Sequence, residues 1–349
     1  MAGHPPAAAE PDYWLQEARL PAGGEHALEL QLRVPTRGLH VFGPVWLRLR
    51  GRFGVLEGQR SYACSGAVKV VPDTAVSEEA FYKTAKDAMR LLDQLTRTRL
   101  RGAGTEFECL AEFRDGDDPR RIDWHSSARL QRLVIRQYQV ERHRDVMIAL
   151  DCGRLMGAAA GSATKLDCAV DSALMLSRVA LRKGDHCGVA LFDDKVLGYL
   201  PPLAGPQAYH SIMDSVYNVQ SRWHEANFGV VFAALQARQV KRALVVVLSD
   251  IVDADTTGQF RRALAALAQR HVVIFAALQT QLLGDIARAP VDTMLDVCRK
   301  GVTMRLLRER EKALHSLRHA GVHVLDVEPG QLTVPLLNQY IELRERNLL

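Results

Sequence analysis

The sequence predicts an α/β protein: a doubly wound, mostly parallel sheet preceded by a small antiparallel β-domain. Three observations carry this. Short apolar runs at 146–150, 187–192, 243–248, 272–278 and 322–325 alternate with stretches of helical periodicity at 165–182, 207–217, 230–238, 259–270 and 303–319. Strands and helices in that alternation build a parallel sheet covered on both faces. Two of the runs close on acids, Leu150-Asp151 and Leu248-Ser249-Asp250, which would deliver carboxylates to the C-terminal edge of the sheet, where sites form in open α/β folds. Upstream, 28–34 and 45–50 alternate apolar and polar residues with period two, the pattern of half-buried strands.

The elements follow in chain order. Residues 1–19 open with MAGHPPAAAEP, an Ala/Pro-rich start with the composition of a disordered N-terminus. Residues 20–76 read as the small β-domain, part of a β-sandwich, with Val68-Lys69-Val70-Val71 as its closing strand. Thr36-Arg37-Gly38-Leu39 and Phe42-Gly43-Pro44 read there as turns. Residues 77–104 form a helical linker: Phe81, Ala85, Ala88, Leu91, Leu92 and Leu95 share one face before Gly102 and Gly104.

Residues 105–144 are a connector with a polar centre, Arg114 to Arg121, between apolar anchors that include Phe113 and Trp124. Residues 145–330 are the α/β domain, in which 196–199 is an edge strand after the turn at Asp193-Asp194-Lys195. Residues 331–349 end the chain as a helix. It carries Val334, Leu337, Tyr340, Ile341 and Leu343 on one face and is expected to pack back on the domain.

Composition bounds the function. At 349 residues, with 48% apolar and 24% charged residues, the chain has the make-up of a globular protein with proper cores. The net charge of +5 comes largely from Arg interleaved with acids, which favours ion pairing over nucleic acid as a partner. Six scattered cysteines without a C-x-x-C pair read as free thiols in a reducing compartment. No apolar run approaches the roughly 18 residues of a membrane span, and no signal peptide pattern opens the chain, so the sequence taken alone is cytoplasmic.

Glu106-Phe107, Leu110, Glu112, Gly116-Asp117-Asp118, Arg120, Ile122-Asp123-Trp124, Ala128-Arg129, Arg136 and Glu141 carry a resemblance. At this spacing they resemble the signature of a bacterial family, the domain-of-unknown-function 58 proteins, themselves similar to von Willebrand factor A (vWA) domains. The resemblance spans roughly residues 37–279 and departs from the family pattern at Ala111, where the family has Arg, and at Phe113, where Tyr is usual. It implies a vWA-like α/β fold and a non-catalytic role as adaptor or substrate-recruiting partner of a MoxR-type AAA+ ATPase. Family members usually carry N-terminal membrane helices and a longer β-domain upstream; either this member lacks the anchor or that part lies ahead of this chain, and a place at the inner face of the cytoplasmic membrane would depend on it.

A vWA domain holds a divalent cation at its sheet edge, in a metal-ion-dependent adhesion site (MIDAS), through an Asp-x-Ser-x-Ser run, a Thr and a later Asp. Here Asp151 and Asp250 supply carboxylates, but Gly153 and Leu155 stand in place of the two Ser and Ala226 in place of the Thr. A hard ion such as Mg²⁺ needs those oxygens, so no metal and no other cofactor is expected. Arg154 would pair with Asp151 or Asp250 in the cation's stead. Asp151 and Asp250 then become helix caps or loop anchors. The alternative is a metal-dependent ligand-binding or adhesion module that still uses Asp151 and Asp250.

The connector residues Arg114, Asp117, Asp118, Arg120, Asp123, Trp124 and Arg129 are expected either to lock the connector onto the sheet through Asp–Arg pairs or to form a surface that a partner or client protein reads. An EF-hand is excluded because Pro119 and Arg120 fall where a ligand and the Gly would stand. No phosphate loop, G-x-S-x-G elbow or H-E-x-x-H pair is present, and His125 beside Ser126-Ser127 does not make a triad, so the chain is not expected to be an enzyme.

Overall fold

The computed structural model describes residues 36–50, 55–63, 66–72, 106–113, 122–139, 143–161, 163–251 and 257–346, with a few isolated positions elsewhere. The expected helix at 77–99 lies outside the described residues, as do Arg114, Asp117, Asp118 and Arg120. So does most of the expected strand at 28–34, of which Gln31 and Val34 are described and are not in a strand.

In chain order the main elements are β1 (Gly38–Val41), β2 (Val45–Arg50), β3 (Glu57–Tyr62), β4 (Ala67–Val70) and β5 (Glu106–Glu112). Then come α1 (Trp124–Leu130), β6 (Val134–Gln139), β7 (Asp145–Asp151), α2 (Lys165–Arg182), β8 (His186–Phe192) and β9 (Val196–Leu203). They are followed by α3 (Pro206–Val216), α4 (Phe228–Arg238), β10 (Ala243–Ser249), α5 (Thr257–Arg270) and β11 (Val272–Leu278). The chain closes with α6 (Gln281–Arg288), α7 (Met294–His319), β12 (His323–Val327) and α8 (Thr333–Glu345).

The central sheet has six strands in the order β9-β8-β7-β10-β11-β12. Five are parallel, and β9 closes one edge antiparallel to β8. Chain order reverses between β7 and β10, the point at which sites form in open α/β sheets, and Asp151 and Ser249-Asp250 lie at their carboxyl ends. The period-two alternation of buried strands divides the core. Val146, Ile148 and Leu150 join α2, α3 and α8 on one face, while Met147 and Ala149 join α4, α5 and α7 on the other. The result is a three-layer α/β/α arrangement.

Local chemistry explains the boundaries. Thr164 begins α2 with a capping box: its side chain accepts from Asp167 N while the Asp167 carboxylate accepts from Thr164 N. The same device, Thr293 with Asp296, starts α7, nine residues ahead of the expected start at Thr303. The first turns of α7 are largely exposed, so their apolar residues Met294, Leu295, Val297 and Val302 follow no single core-facing stripe. The last helix packs as expected: Leu336, Leu337 and Tyr340 are buried, and the Tyr340 hydroxyl donates to Asp185 Oδ2 at 2.5 Å.

Upstream, β1 pairs antiparallel with β4 in a ribbon, and β2 with β3 in a four-stranded sheet. Short strands at Ala2–Gly3 and Trp14–Leu15, in the stretch expected to be disordered, complete that sheet. Many apolar side chains of β1 to β4 are exposed. Residues 38–41 are strand rather than the expected turn; Gly38 alone turns the chain, at φ +133°. Arg37, buried, anchors this segment to the α/β domain. Its Nε donates to Asp167 Oδ1 at 2.8 Å and its Nη1 to the carbonyls of Val216 and Val219 at 3.1 and 2.7 Å. Lys69 adds an ion pair to Asp214 and lies 4.2 Å from the centre of the Tyr217 ring.

The connector holds β5 and β6 as an antiparallel pair, with α1 between them. Trp124 is not the expected buried anchor: it is the first residue of α1 and is 68% exposed. The anchors on this side are Val134 and Ile135, both buried, with Ile122 bridging to Ile135.

Candidate functional site

The strongest concentration of buried charge lies at the reversal point of the sheet. Strand β7 ends on Asp151, β10 is followed by Asp250, and β8 is followed by Asp193, so three carboxylates with almost no exposure converge at one edge. Uncompensated, that would be prohibitively costly. Each acid is answered differently.

Asp250 is answered by two cations. Lys165 opens α2, is 1% exposed, and places Nζ 2.5 Å from Asp250 Oδ2. The same ammonium reaches Thr280 Oγ1 at 2.5 Å and the Leu278 carbonyl at 3.4 Å, so its three N–H bonds meet three oxygens. From the other side Arg310, on the buried stripe of α7, pairs with Asp250 Oδ1 through Nη1, which also donates to the Ile251 carbonyl at 2.8 Å. Arg310 Nη2 continues to Asp326 Oδ1 at 2.9 Å. Burial works against the Arg310 charge, but the Asp250 and Asp326 carboxylates outweigh it and hold its pKa above the ordinary value. Burial pulls the Lys165 pKa down, and Asp250 opposes that pull.

Asp151 receives no such cation. Its Oδ1 accepts from Gly153 N at 2.7 Å and its Oδ2 from the Ser249 hydroxyl at 2.5 Å. Burial raises its pKa from 3.8 to about 6; the two hydrogen bonds hold it back, and the charges of Asp250 and Asp193 add to the rise. Asp193 Oδ1 accepts from Lys195 N at 3.1 Å. Its buried Oδ2 makes no hydrogen bond, the Arg222 guanidinium standing off at 3.7 Å.

Arg154 does not take part. It pairs with Glu225 at 2.5 Å on the surface, so the expectation that it would neutralise Asp151 or Asp250 is corrected. It begins a short 3-10 turn that directs its side chain outward, and the neutralising groups come instead from α2 and α7. Gly153 and Ala226 do come together beside Asp151. A Cβ on Gly153 would stand 3.0 Å from both Asp151 Oδ1 and the His224 carbonyl, and 3.6 Å from Ala226 N. Leu155 lies half-buried in the 3-10 turn.

These groups do not fit a divalent cation. Both oxygens of Asp250 are engaged by cations, both of Asp151 by hydrogen bonds, and Gly153, Leu155 and Ala226 offer no side-chain oxygen. A hard ion would have to displace an ammonium to obtain its ligands. Among the described residues, no cluster of three or more His, Cys, Asp or Glu side chains is placed to hold a metal.

In the connector, Asp123 caps α1: its Oδ1 accepts from Ser126 N at 3.0 Å. Arg129 lies exposed in the last turn of the same helix. The Ser127 hydroxyl accepts from Val134 N at 3.0 Å and stitches α1 to β6. Lys165, Thr280, Arg310 and Asp326 were missed in sequence. Two signals existed: a Lys at a helix N-terminus, where the dipole disfavours it, and an Arg on the stripe shared by Ala313, Leu314 and Leu317.

The family model described as "Protein of unknown function DUF58" matches residues 110–285. An uncharacterized protein of Mycobacterium bovis and one of Mycobacterium tuberculosis are each 23% identical over 175 residues, 50% of this chain. The chain spans about half the length of these curated relatives, 54% of each. Among solved structures, BatB of Bacteroides thetaiotaomicron is 15% identical with a TM-score of 0.40, over 58% of this chain and 99% of that one. An aerotolerance-related membrane protein of Bacteroides fragilis is 15% identical with a TM-score of 0.37, over 57% and 98%. The VWA domain of SpRpn10 is 16% identical with a TM-score of 0.35, over 57% and 95%. The fold described above rests on strand order and register, not on these likenesses. No helix among the described residues is long and apolar enough to cross a membrane.

Proposed function

The chain belongs to the DUF58 family, and on that premise we propose that it is a non-catalytic, vWA-like protein-interaction module whose sheet edge is a degenerate MIDAS with a built-in cation. The observation that carries this reading is the buried trio Lys165–Asp250–Arg310, which ties α2, β10 and α7 together with charge supplied by the chain itself. A vWA metal completes its coordination with a ligand's carboxylate. An ammonium whose three N–H bonds already meet internal oxygens, and a guanidinium whose Nη atoms are held by Asp250, the Ile251 carbonyl and Asp326, leave no open coordination position for one. Recognition then falls to surfaces around the edge and on the connector, where Arg129 and Trp124 are exposed.

The partner we propose is a MoxR-type AAA+ ATPase, with this chain as adaptor recruiting a client during complex assembly or maturation at the cytoplasmic side of the membrane. That pairing follows from the family resemblance in the connector signature. Affinity purification from native cells with and without ATP tests it. Recovery of an AAA+ ATPase in a nucleotide-sensitive manner is the expected result. An envelope or surface protein recovered without any ATPase would overturn the adaptor role.

A further inference from the structure

Away from the sheet edge, α5 and α7 flank a shallow, open surface groove of about 550 Å³. Arg261 and Arg262 enter it from α5, and Lys312, His315 and His319 from α7. Among the described residues lining it there is no carboxylate. The stretch of α5 from Phe260 to Arg270 contains no acid at all. Of the acids of α7, Asp296 is held in the capping box, Glu309 pairs with Arg305, and Glu311 lines a different crevice.

The two helices are bridged where the charges meet. Arg261 Nη1 donates to Ser316 Oγ at 3.4 Å, and the His315 and His319 rings converge with their Nε2 atoms 2.9 Å apart. Basic side chains near a helix C-terminus are favoured by its dipole, which accounts for His315 and His319 but gives no reason for Arg261 and Arg262. Two imidazole nitrogens at this spacing would also suit a transition metal. Three permanently or ordinarily charged cations around them make a second positive ion unfavourable and an anion favourable.

We propose that the groove between α5 and α7 binds a phosphate-bearing anion. Arg261, Arg262 and Lys312 supply the charge, and of the two hydrogen-bonded imidazoles, His315 and His319, the ring N–H not spent between them supplies a directional donor. Arginine forks match phosphoryl oxygens, and a groove of this volume accommodates a ligand from pyrophosphate up to a nucleotide.

The test is calorimetric titration of the full chain with three separate probes: inorganic pyrophosphate, ADP and a phosphoserine peptide. Saturable binding of pyrophosphate is expected. The exposed double variant Arg262→Gln/Lys312→Gln should weaken it about tenfold or more, while Arg299→Gln, on α7 but outside the groove, should leave it within about twofold. Circular dichroism checks that each variant is folded. Equal affinity for ADP and pyrophosphate assigns the phosphates alone as the recognised group; tighter ADP or peptide binding assigns the corresponding phosphorylated molecule. No saturable binding of any probe overturns the proposal, as does equal weakening by Arg299→Gln or saturable binding of Zn²⁺ without any of the phosphate probes.

Discussion

Replacing Lys165 with Met removes the cation from the sheet edge while keeping much of the side chain's volume. The ammonium is buried and serves Asp250 Oδ2, Thr280 Oγ1 and the Leu278 carbonyl, so three oxygens lose a donor. Breaking a buried ion pair typically costs about 3–5 kcal/mol. Here Asp250 retains Arg310, and the desolvation cost of Lys165 itself is relieved, which places the expected loss near about 3 kcal/mol. For a domain of this size that lowers Tm by roughly 6–12 °C. Urea unfolding followed by far-ultraviolet circular dichroism reads the loss as a lower midpoint at unchanged slope. Adding Asp250→Asn to Lys165→Met should deepen the loss, because it breaks the remaining buried Asp250–Arg310 pair. A loss below about 1 kcal/mol, or a gain, would refute the claim that this ammonium neutralises the edge.

Asp151 gives a pH prediction. Its folded pKa of about 6 lies above its ordinary 3.8, so the folded state binds the proton more tightly than the unfolded one. The cost of the charged carboxylate is therefore fully present above about pH 6 and is relieved as pH falls toward 3.8. Asp151→Asn should stabilise the protein near neutral pH by up to about 3 kcal/mol, with the difference from the native chain vanishing by about pH 4; a difference independent of pH contradicts it. Gly153→Ser should destabilise rather than create a metal site, since its Cβ would meet Asp151 Oδ1 and the His224 carbonyl at 3.0 Å. A lower Tm that millimolar Mg²⁺ does not restore is the expected result. Cys152 and Cys187 are buried with thiol pKa values pushed up to about 12, so at pH 8 an aromatic disulfide reagent should label exposed Cys298 rapidly and those two only on unfolding.

Much of the α/β domain was legible because burial imposes period. Strands β7, β10 and β11 are continuous apolar runs that lie inside the sheet, and α2 begins and ends where the pattern predicted. The carboxylates were legible too, since a strand ending in Asp places it at the edge. Their neutralising partners were not. Lys165 lies 85 residues from Asp250 and Arg310 lies 60 from it, and no local pattern records a pairing set by the packing of α2 and α7 on either side of one strand. Proximity in sequence favoured Arg154, whose backbone turn sends it to Glu225 instead. Trp124 misled for a related reason. An aromatic residue reads as an anchor, but the first position of a helix capped by Asp123 leaves it facing water.

At this sheet edge the Asp250 carboxylate is neutralised from within, by Lys165 and Arg310. Titrating the native chain with Mg²⁺ and Mn²⁺ by calorimetry, alongside thermal melts, tests this most directly. No saturable heat and an unchanged Tm at millimolar ion are expected. Saturable binding with a Tm rise of several degrees, abolished by Asp151→Asn, would contradict it and return Asp151 and Asp250 to the role of metal ligands.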